Sequence, residues 1–288
     1  DKSILSLAFP FDSYRKGQKK MVNDVYRAIN QKKRLFVKAP TGIGKTISTV
    51  YPALKSLIYH DNEKIFYLTS KTINRQAASD ALNILKNQGL KVRAIALTAK
   101  DKICPYGSCD IASCDYARGH FDRINKAIYD ILENQDIISR DVILTYSESH
   151  KVCPVEFALD VSLFCDVIIG DYNYAFDPAV YLKRFFAEQQ GKYIFLMDEA
   201  HNFLDRARAL FSASIEKANF LELRKSIKVS IKDQAMIPKE LSDLIKSIGI
   251  VNAGFLKLKQ DEAEFSQKEL PGSLVKAIRS FIEHADHY

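Results

Sequence analysis

Ala39-Pro40-Thr41-Gly42-Ile43-Gly44-Lys45-Thr46 is the stretch from which the fold of this 288-residue chain can be read. It follows the apolar run Leu35-Phe36-Val37, which predicts a buried strand, and precedes Ile47-Ser48-Thr49-Val50, which can open a helix. Strand, loop and helix in that order are what a phosphate-binding loop requires. Gly42 and Gly44 can take backbone angles that larger residues resist. Successive N–H groups, that of Ile43 among them, can then turn inward around a phosphate at a helix N-terminus, where the dipole also favours an anion. Lys45 would reach the β- and γ-phosphates, and Thr46 would offer its hydroxyl to Mg²⁺. Ala39 stands where the strict G-x-x-x-x-G-K-S/T pattern has its first glycine, so an ordinary glycine-rich turn is the competing reading.

A second motif narrows the choice. Tyr193-Ile194-Phe195-Leu196-Met197 runs into Asp198-Glu199-Ala200-His201, an apolar strand delivering two adjacent carboxylates at its C-terminal end. A Mg²⁺-dependent NTPase needs such a pair: Asp198 to hold the hydrated metal and Glu199 to orient the attacking water. His201 completes the tetrad and joins Lys45, Asp198 and Glu199 as a candidate catalytic residue. An isolated Asp-Glu pair is usually a solvated strand end; together with the loop at 39–46 it favours ATP hydrolysis.

A chain of this length can bury a sizeable core and hold two or three compact units. Forty-two Lys and Arg against 35 Asp and Glu give a net charge of +7, which suits a polyanionic partner. No apolar run approaches the ~18 residues of a membrane span and the N-terminus is not signal-like, so the expectation is a soluble, cytoplasmic protein without a membrane partner.

Residues 9–18 precede the helical pattern Met21, Val22, Val25, Tyr26, Ile29. A glutamine there can read adenine by donating to one ring nitrogen and accepting from the exocyclic amine. Gln18 is the candidate, with Tyr14 or Arg15 stacking near the base; a capping or surface role is the alternative. Ile65-Phe66-Tyr67-Leu68 reads as a strand ending in Thr69-Ser70-Lys71-Thr72. Thr69, Lys71 and Thr72 are suited to nucleic-acid phosphates, although Thr72 or Ser70 can equally cap the next helix. Val92 to Leu97 predicts another strand. Short apolar strands alternating with helices argue for a doubly wound parallel sheet with ligands at the C-terminal strand ends.

Regularity breaks over 100–165. Cys104, Cys109, Cys114 and Cys153 are separated by four, four and thirty-eight residues. Such clustering points to metal before disulfides, with zinc and an iron–sulfur cluster both open. Ile124, Ala127, Ile128, Ile131 and Leu132 recur at helical spacing, so a helical insert can fold back and return Cys153 to the others. Cys165 begins the apolar strand Val167-Ile168-Ile169 and reads as a core cysteine. Asp171-Tyr172-Asn173-Tyr174 closes that strand, where Asn173 and Tyr174 can bond or stack on an unpaired nucleotide, or simply pack. Residues beyond 202 carry helical apolar spacing, with Pro271-Gly272 as a break and no catalytic constellation.

In this order, the loop at 39–46, the segment 69–72, the four-cysteine insert, the Asp-Tyr-Asn-Tyr stretch and Asp-Glu-Ala-His resemble superfamily 2 DNA helicases of the XPD-like and DinG-like kind. The resemblance implies a P-loop, RecA-like parallel sheet with an inserted iron–sulfur helical domain and a helical arch. It implies motor domain 1 over 1–99 and 166–204, the insert over 100–165, and an arch-like segment over 205–288. It further implies a 4Fe-4S cluster held by the four cysteines, with ATP and Mg²⁺ as cofactors. Movement 5′ to 3′ on single-stranded DNA and unwinding of forked DNA follow from the same resemblance, in the bacterial nucleoid or a eukaryotic nucleus. A Gln-x-x-Gly-Arg pattern and the family's third motif do not occur in the sequence. The resemblance therefore implies a fragment, inactive alone, whose second motor domain would come from downstream chain.

Overall fold

A computed structural model describes residues 2–59, 62–106, 113–189, 191–232, 236–258 and 266–287. The chain divides into two compact units, Asp1–Phe211 and Ser212–Tyr288.

The first unit is built on five parallel strands: β1 (Lys64–Leu68), β2 (Ala94–Ala96), β3 (Ile137–Ile138), β4 (Val167–Gly170) and β5 (Tyr193–Met197). Their order across the sheet is β3-β2-β4-β1-β5. Apart from the two-residue β3, the strands coincide with the short apolar runs, as expected of strands covered on both faces. Helices α1 (Lys2–Ser6), α2 (Gln18–Asn30), α3 (Lys45–Tyr59) and α4 (Thr72–Lys86) precede β2. Between β2 and β4 lie α5 (Lys100–Ile103), α6 (His120–Asn134), α7 (Arg140–His150) and α8 (Pro154–Ser162). The short α9 (Asn173–Phe176) and α10 (Phe203–Leu210) flank β5.

Successive residues of β1 enter opposite cores, as the two-residue period of a strand demands. Ile65 and Tyr67 pack with Val50 and Leu54 of α3 and with Ala78, Leu82 and Leu85 of α4. Phe66 and Leu68 pack with Ile124, Ala127 and Ile131 of α6, Ile143 of α7, and Phe157 and Val161 of α8. Each such side chain contributes about 1.5–3 kcal/mol relative to exposure. Helices α6, α7 and α8 thus supply a layer over the second face of the sheet. Cys165 is buried there, its thiol pushed up to about 12 by burial.

The register places the functional strand ends level. Leu68 lies opposite both Gly170 and Met197. The Thr69 N–H donates to the Gly170 carbonyl at 3.0 Å and the Asp198 N–H to the Leu68 carbonyl at 2.9 Å. Residues 69–72, 171–174 and 198–201 therefore leave the sheet at one edge, the C-terminal edge where parallel sheets bind ligands.

One expected strand is not formed. Leu35, Phe36 and Val37 take no regular secondary structure and are exposed, Phe36 at 88%. An apolar triplet becomes a strand only beside a hydrogen-bonding neighbour, and among the described residues none of the five strands pairs with it. Lys32, in the left-handed region at φ 53°, turns the chain out of α2 just before this segment.

In the second unit α11 (Lys217–Ser230), α12 (Lys239–Leu258) and α13 (Gly272–Asp286) surround two small apolar clusters. Leu241, Leu244 and Ile248 pack with Phe220 and Ile227, and Val251, Leu274 and Ala277 with Phe255 and Phe281. A Cβ on Gly254 would come within 3.0 Å of Leu274 Cδ1, so glycine allows the close approach of α12 and α13. The unit begins later than the expected boundary at 205. Phe203 of α10 packs edge-on against Tyr172 and Phe176, at ring separations of 5.5 and 4.7 Å, and this keeps α10 in the first unit. Among the described residues no helix is long and apolar enough to cross a membrane.

Candidate nucleotide and nucleic-acid site

Gly42 and Gly44 both sit at φ +81°, the left-handed region that L side chains resist, and α3 begins at the next residue, Lys45. At Gly44 a Cβ would also lie 2.6 Å from Gln18 Nε2. The preceding segment braces the loop from the side. The Arg15 guanidinium donates to the Gly42 carbonyl, and the buried Gln18 accepts the Arg15 N–H on Oε1 at 3.0 Å. Gln18 and Arg15 thus touch the loop itself, while Tyr14 stacks on Phe9 with centroids 4.1 Å apart.

The two phosphate and metal motifs meet. Lys45 Nζ lies 3.7 Å from Glu199 Oε1, and His201 Nε2 lies 3.6 Å from Glu199 Oε2. The His201 side chain is 71% exposed against 22% for that of Glu199. Glu199 itself has φ 56°. A non-glycine residue there costs about 1–3 kcal/mol and persists only where its surroundings hold it. Three residues that sequence reasoning missed surround Asp198. Asn74 Nδ2 donates to Oδ2 at 2.9 Å, the Tyr172 hydroxyl donates to the backbone carbonyl, and Tyr67 bonds the side chains of both Asp198 and Thr46. The remaining carboxylate oxygen, Oδ1, accepts the Glu199 N–H at 3.0 Å. Burial raises the pKa of the Tyr67 hydroxyl, with Asp198 adding to the effect. Burial, then the charges of Asp198 and Glu199, push Tyr172 up to about 12. Both phenols stay protonated and can donate to the acidic cluster.

Of the candidate nucleic-acid contacts, Lys71 and Thr72 are exposed at the start of α4. Thr69 is a correction. It is fully buried, and its Oγ1 accepts the Lys71 N–H at 3.4 Å, because the sheet interior extends one residue beyond β1. A phosphate cannot reach it. Asn173 Oδ1 accepts from Arg206 Nε at 3.3 Å, and Arg206 Nη2 also reaches Asp171 Oδ1 at 3.2 Å. The Tyr174 ring lies over Gly170, where a Cβ would be 2.8 Å away; burial raises its pKa to about 12.

Cys104 ends α5, Cys114 lies in the following loop, and Cys153 precedes Pro154 at the N-terminus of α8. Burial raises the Cys153 thiol pKa, bonds from the Glu156 and Val155 N–H groups oppose this, and nearby Glu156 and Cys104 raise it further. The Cys153 N–H donates to His120 Nδ1 at 3.1 Å. Cys109 lies outside the described residues. Among the described residues no three His, Cys, Asp or Glu side chains are grouped closely enough to hold a metal ion.

Two families match the chain: the DEAD/DEAH box helicase family over residues 15–104 and the DEAD_2 family over 86–220. A probable ATP-dependent helicase of Methanocaldococcus jannaschii is 26% identical over 205 residues, 69% of this chain and 30% of the relative. The general transcription and DNA repair factor IIH helicase subunit XPD of Arabidopsis thaliana is 21% identical, over 99% of this chain and 42% of its own length. The chain thus spans well under half the length of these relatives. A solved XPD helicase superposes with a TM-score of 0.58 at 17% identity, over 96% of this chain and 47% of that one. A truncated XPD gives 0.55 at 16% identity, over 93% and 76%. With the phosphate loop and acidic motif converging on one edge of the parallel sheet, the chain is similar to DEAD/DEAH box helicases over residues 15–104 and to the DEAD_2 family over 86–220, and it shares the fold of XPD helicases.

Proposed function

We propose that this chain is the nucleotide-binding part of an ATP-dependent DNA helicase, which couples hydrolysis to 5′-to-3′ movement on single-stranded DNA and to opening of forks. One observation carries the proposal. Lys45, Thr46, Asp198 and Glu199 converge at the same strand ends from which the exposed Lys71 and Thr72 emerge.

In this reading the N–H groups around Gly42, Ile43 and Gly44 cradle the phosphates and Lys45 binds the β- and γ-oxygens. Thr46 and Asp198 hold Mg²⁺, which neutralises the charge developing on the transferred phosphoryl group. Glu199 orients the water, with His201 beside it. Gln18 reads the adenine, with Tyr14 or Arg15 stacking near the base. Lys71 and Thr72 hold DNA phosphates, and Asn173 and Tyr174 face the neighbouring nucleotides. A second motor domain, supplied by the rest of the natural chain, closes the cleft. Such an enzyme works wherever the DNA lies, in a nucleoid or a nucleus. The test is ATPase activity of the full natural chain with Mg²⁺, expected to rise when single-stranded DNA is added. Hydrolysis indifferent to DNA would remove the helicase reading.

The same proposal assigns Cys104, Cys109, Cys114 and Cys153 to a 4Fe-4S cluster. Support comes from Cys153, whose sulfur receives two backbone N–H groups at a helix N-terminus and has Cys104 for a neighbour. The N–H groups favour a thiolate, and Cys104 brings a second sulfur for the same cluster. Cys104→Ser and Cys153→Ser should each lose iron and visible absorbance and make residues 100–165 sensitive to protease, because metal–ligand bonds contribute to folding. Cys165→Ser should retain its iron. A cluster that needs Cys165 and tolerates loss of Cys153 would overturn the ligand set.

A further inference from the structure

We propose that Asn74 is a positioning residue through which Mg–ATP and single-stranded DNA oppose each other's binding. The inference rests on the nucleotide and DNA reading above. Its basis is one bond between parts of the chain 124 positions apart: Asn74 Nδ2 to Asp198 Oδ2, 2.9 Å, partly buried.

At one end of this bond is the metal-holding carboxylate. Both Asp198 oxygens are engaged, Oδ1 by the Glu199 N–H and Oδ2 by Asn74. A hydrated Mg²⁺ presents water hydrogens to the same carboxylate, which accepts but cannot donate. The Glu199 N–H is fixed by the turn that follows β5, whereas the Asn74 amide needs only a side-chain rotation to leave. Each carboxylate oxygen has a second acceptor direction, so a hydrated metal would release Asn74 by taking the direction on Oδ2 that the amide now fills.

At the other end is the first turn of α4. The N–H groups of Asn74 and Arg75 both donate to the Lys71 carbonyl, at 3.2 and 3.3 Å, so Asn74 and Lys71 move as one piece. Arg75 adds a bond from Nη2 to Thr72 Oγ1 at 3.1 Å and another from Nη1 to the Leu97 carbonyl at 3.4 Å. With Asn74 in place, this turn is pinned to the end of β5 as well as to the end of β2, and Lys71 and Thr72 are held ready for phosphates. With Asn74 released, one anchor is gone and ordering the turn on DNA costs more. Linkage makes the effect reciprocal: DNA, by favouring the pinned turn, weakens Mg–ATP by the same factor.

The test uses this chain, a fluorescent oligothymidine and a non-hydrolysable ATP analogue. For the unsubstituted chain, saturating analogue with Mg²⁺ should raise the oligonucleotide Kd about fivefold or more, the lower end of ordinary allosteric coupling. Analogue with EDTA should leave that Kd unchanged, since the displacing agent is the metal's water shell. In Asn74→Ala the ratio should fall to about one, while oligonucleotide and Mg–nucleotide each still bind alone. Asn74→Gln, which keeps an amide on a longer arm, should restore part of the ratio. An undiminished ratio in Asn74→Ala, antagonism that persists in EDTA, or loss of oligonucleotide binding in both variants would each overturn the relay. Failure of the unsubstituted chain to bind nucleotide or oligonucleotide at all would instead overturn the function proposed above, and this inference with it.

Discussion

Glu199→Gln in the full natural chain is expected to bind Mg–ATP normally and to lose about 10²–10⁴-fold in hydrolysis, the range for removing a general base. The carboxylate at 199 follows Asp198, the proposed metal ligand, and is reached by Lys45 on one oxygen and by His201 on the other. Glutamine keeps its length and polarity, so the left-handed turn at 199 and the Glu199 N–H bond to Asp198 are both retained. Only the basic oxygen is lost. Nucleotide affinity should move little, and upward. The 3.7 Å Lys45–Glu199 pair must yield when phosphate claims Lys45, and a partly exposed pair is worth about 0.2–1 kcal/mol, a gain of at most about fivefold in Kd. Equilibrium nucleotide binding and single-turnover hydrolysis separate the two effects. Undiminished turnover in the Gln variant would remove Glu199 from the chemistry.

What the sequence announces at this site, and what it conceals, follows from the range of each interaction. Gly42 and Gly44 are legible because one residue type is needed for φ +81°, and β1, β4 and β5 are legible because a strand covered on both faces is a run of apolar residues. Asn74 has no such signature. It serves Asp198 across 124 positions, and nothing in the local pattern around Ile73-Asn74-Arg75 marks it. The same holds for Tyr67, an ordinary strand residue until the fold sets its hydroxyl between Thr46 and Asp198. Thr69 fails in the opposite direction: its residue type and its place after a strand suit a phosphate, but only packing decides whether a threonine there is surface or core. The run Leu35-Phe36-Val37 shows the limit for strands, since composition can make a segment fit for a sheet without providing its neighbour. Local pattern likewise does not reveal the contacts of Gln18, whose amide lies against Gly44 and accepts the Arg15 N–H.

Lys45→Ala should reduce Mg–ATP binding by about 100-fold or more, the largest effect expected on affinity. A hydrogen bond to a charged group contributes about 1.5–3 kcal/mol, and Lys45 would meet oxygens of both the β- and γ-phosphates, where charge-assisted bonds are at their strongest. The side chain leaves the first residue of α3, immediately after Gly44, which like Gly42 is in the left-handed region, so in the proposed site its ammonium would meet phosphates received by the N–H groups of that loop. The substitution itself should not unfold the protein. Lys45 is half-exposed, its one ion pair among the described residues is the weak one with Glu199, and alanine is the best helix former. A thermal melt of the apo protein should therefore be close to unchanged, while the stabilisation that saturating Mg–ATP gives the unsubstituted chain disappears from the variant. Lys45→Arg discriminates further: a planar fork in place of a compact ammonium keeps the charge but not the fit between adjacent phosphates, so it should bind more weakly than lysine and more tightly than alanine. Equal affinity in all three would show that the loop holds no triphosphate, whatever its two glycines permit.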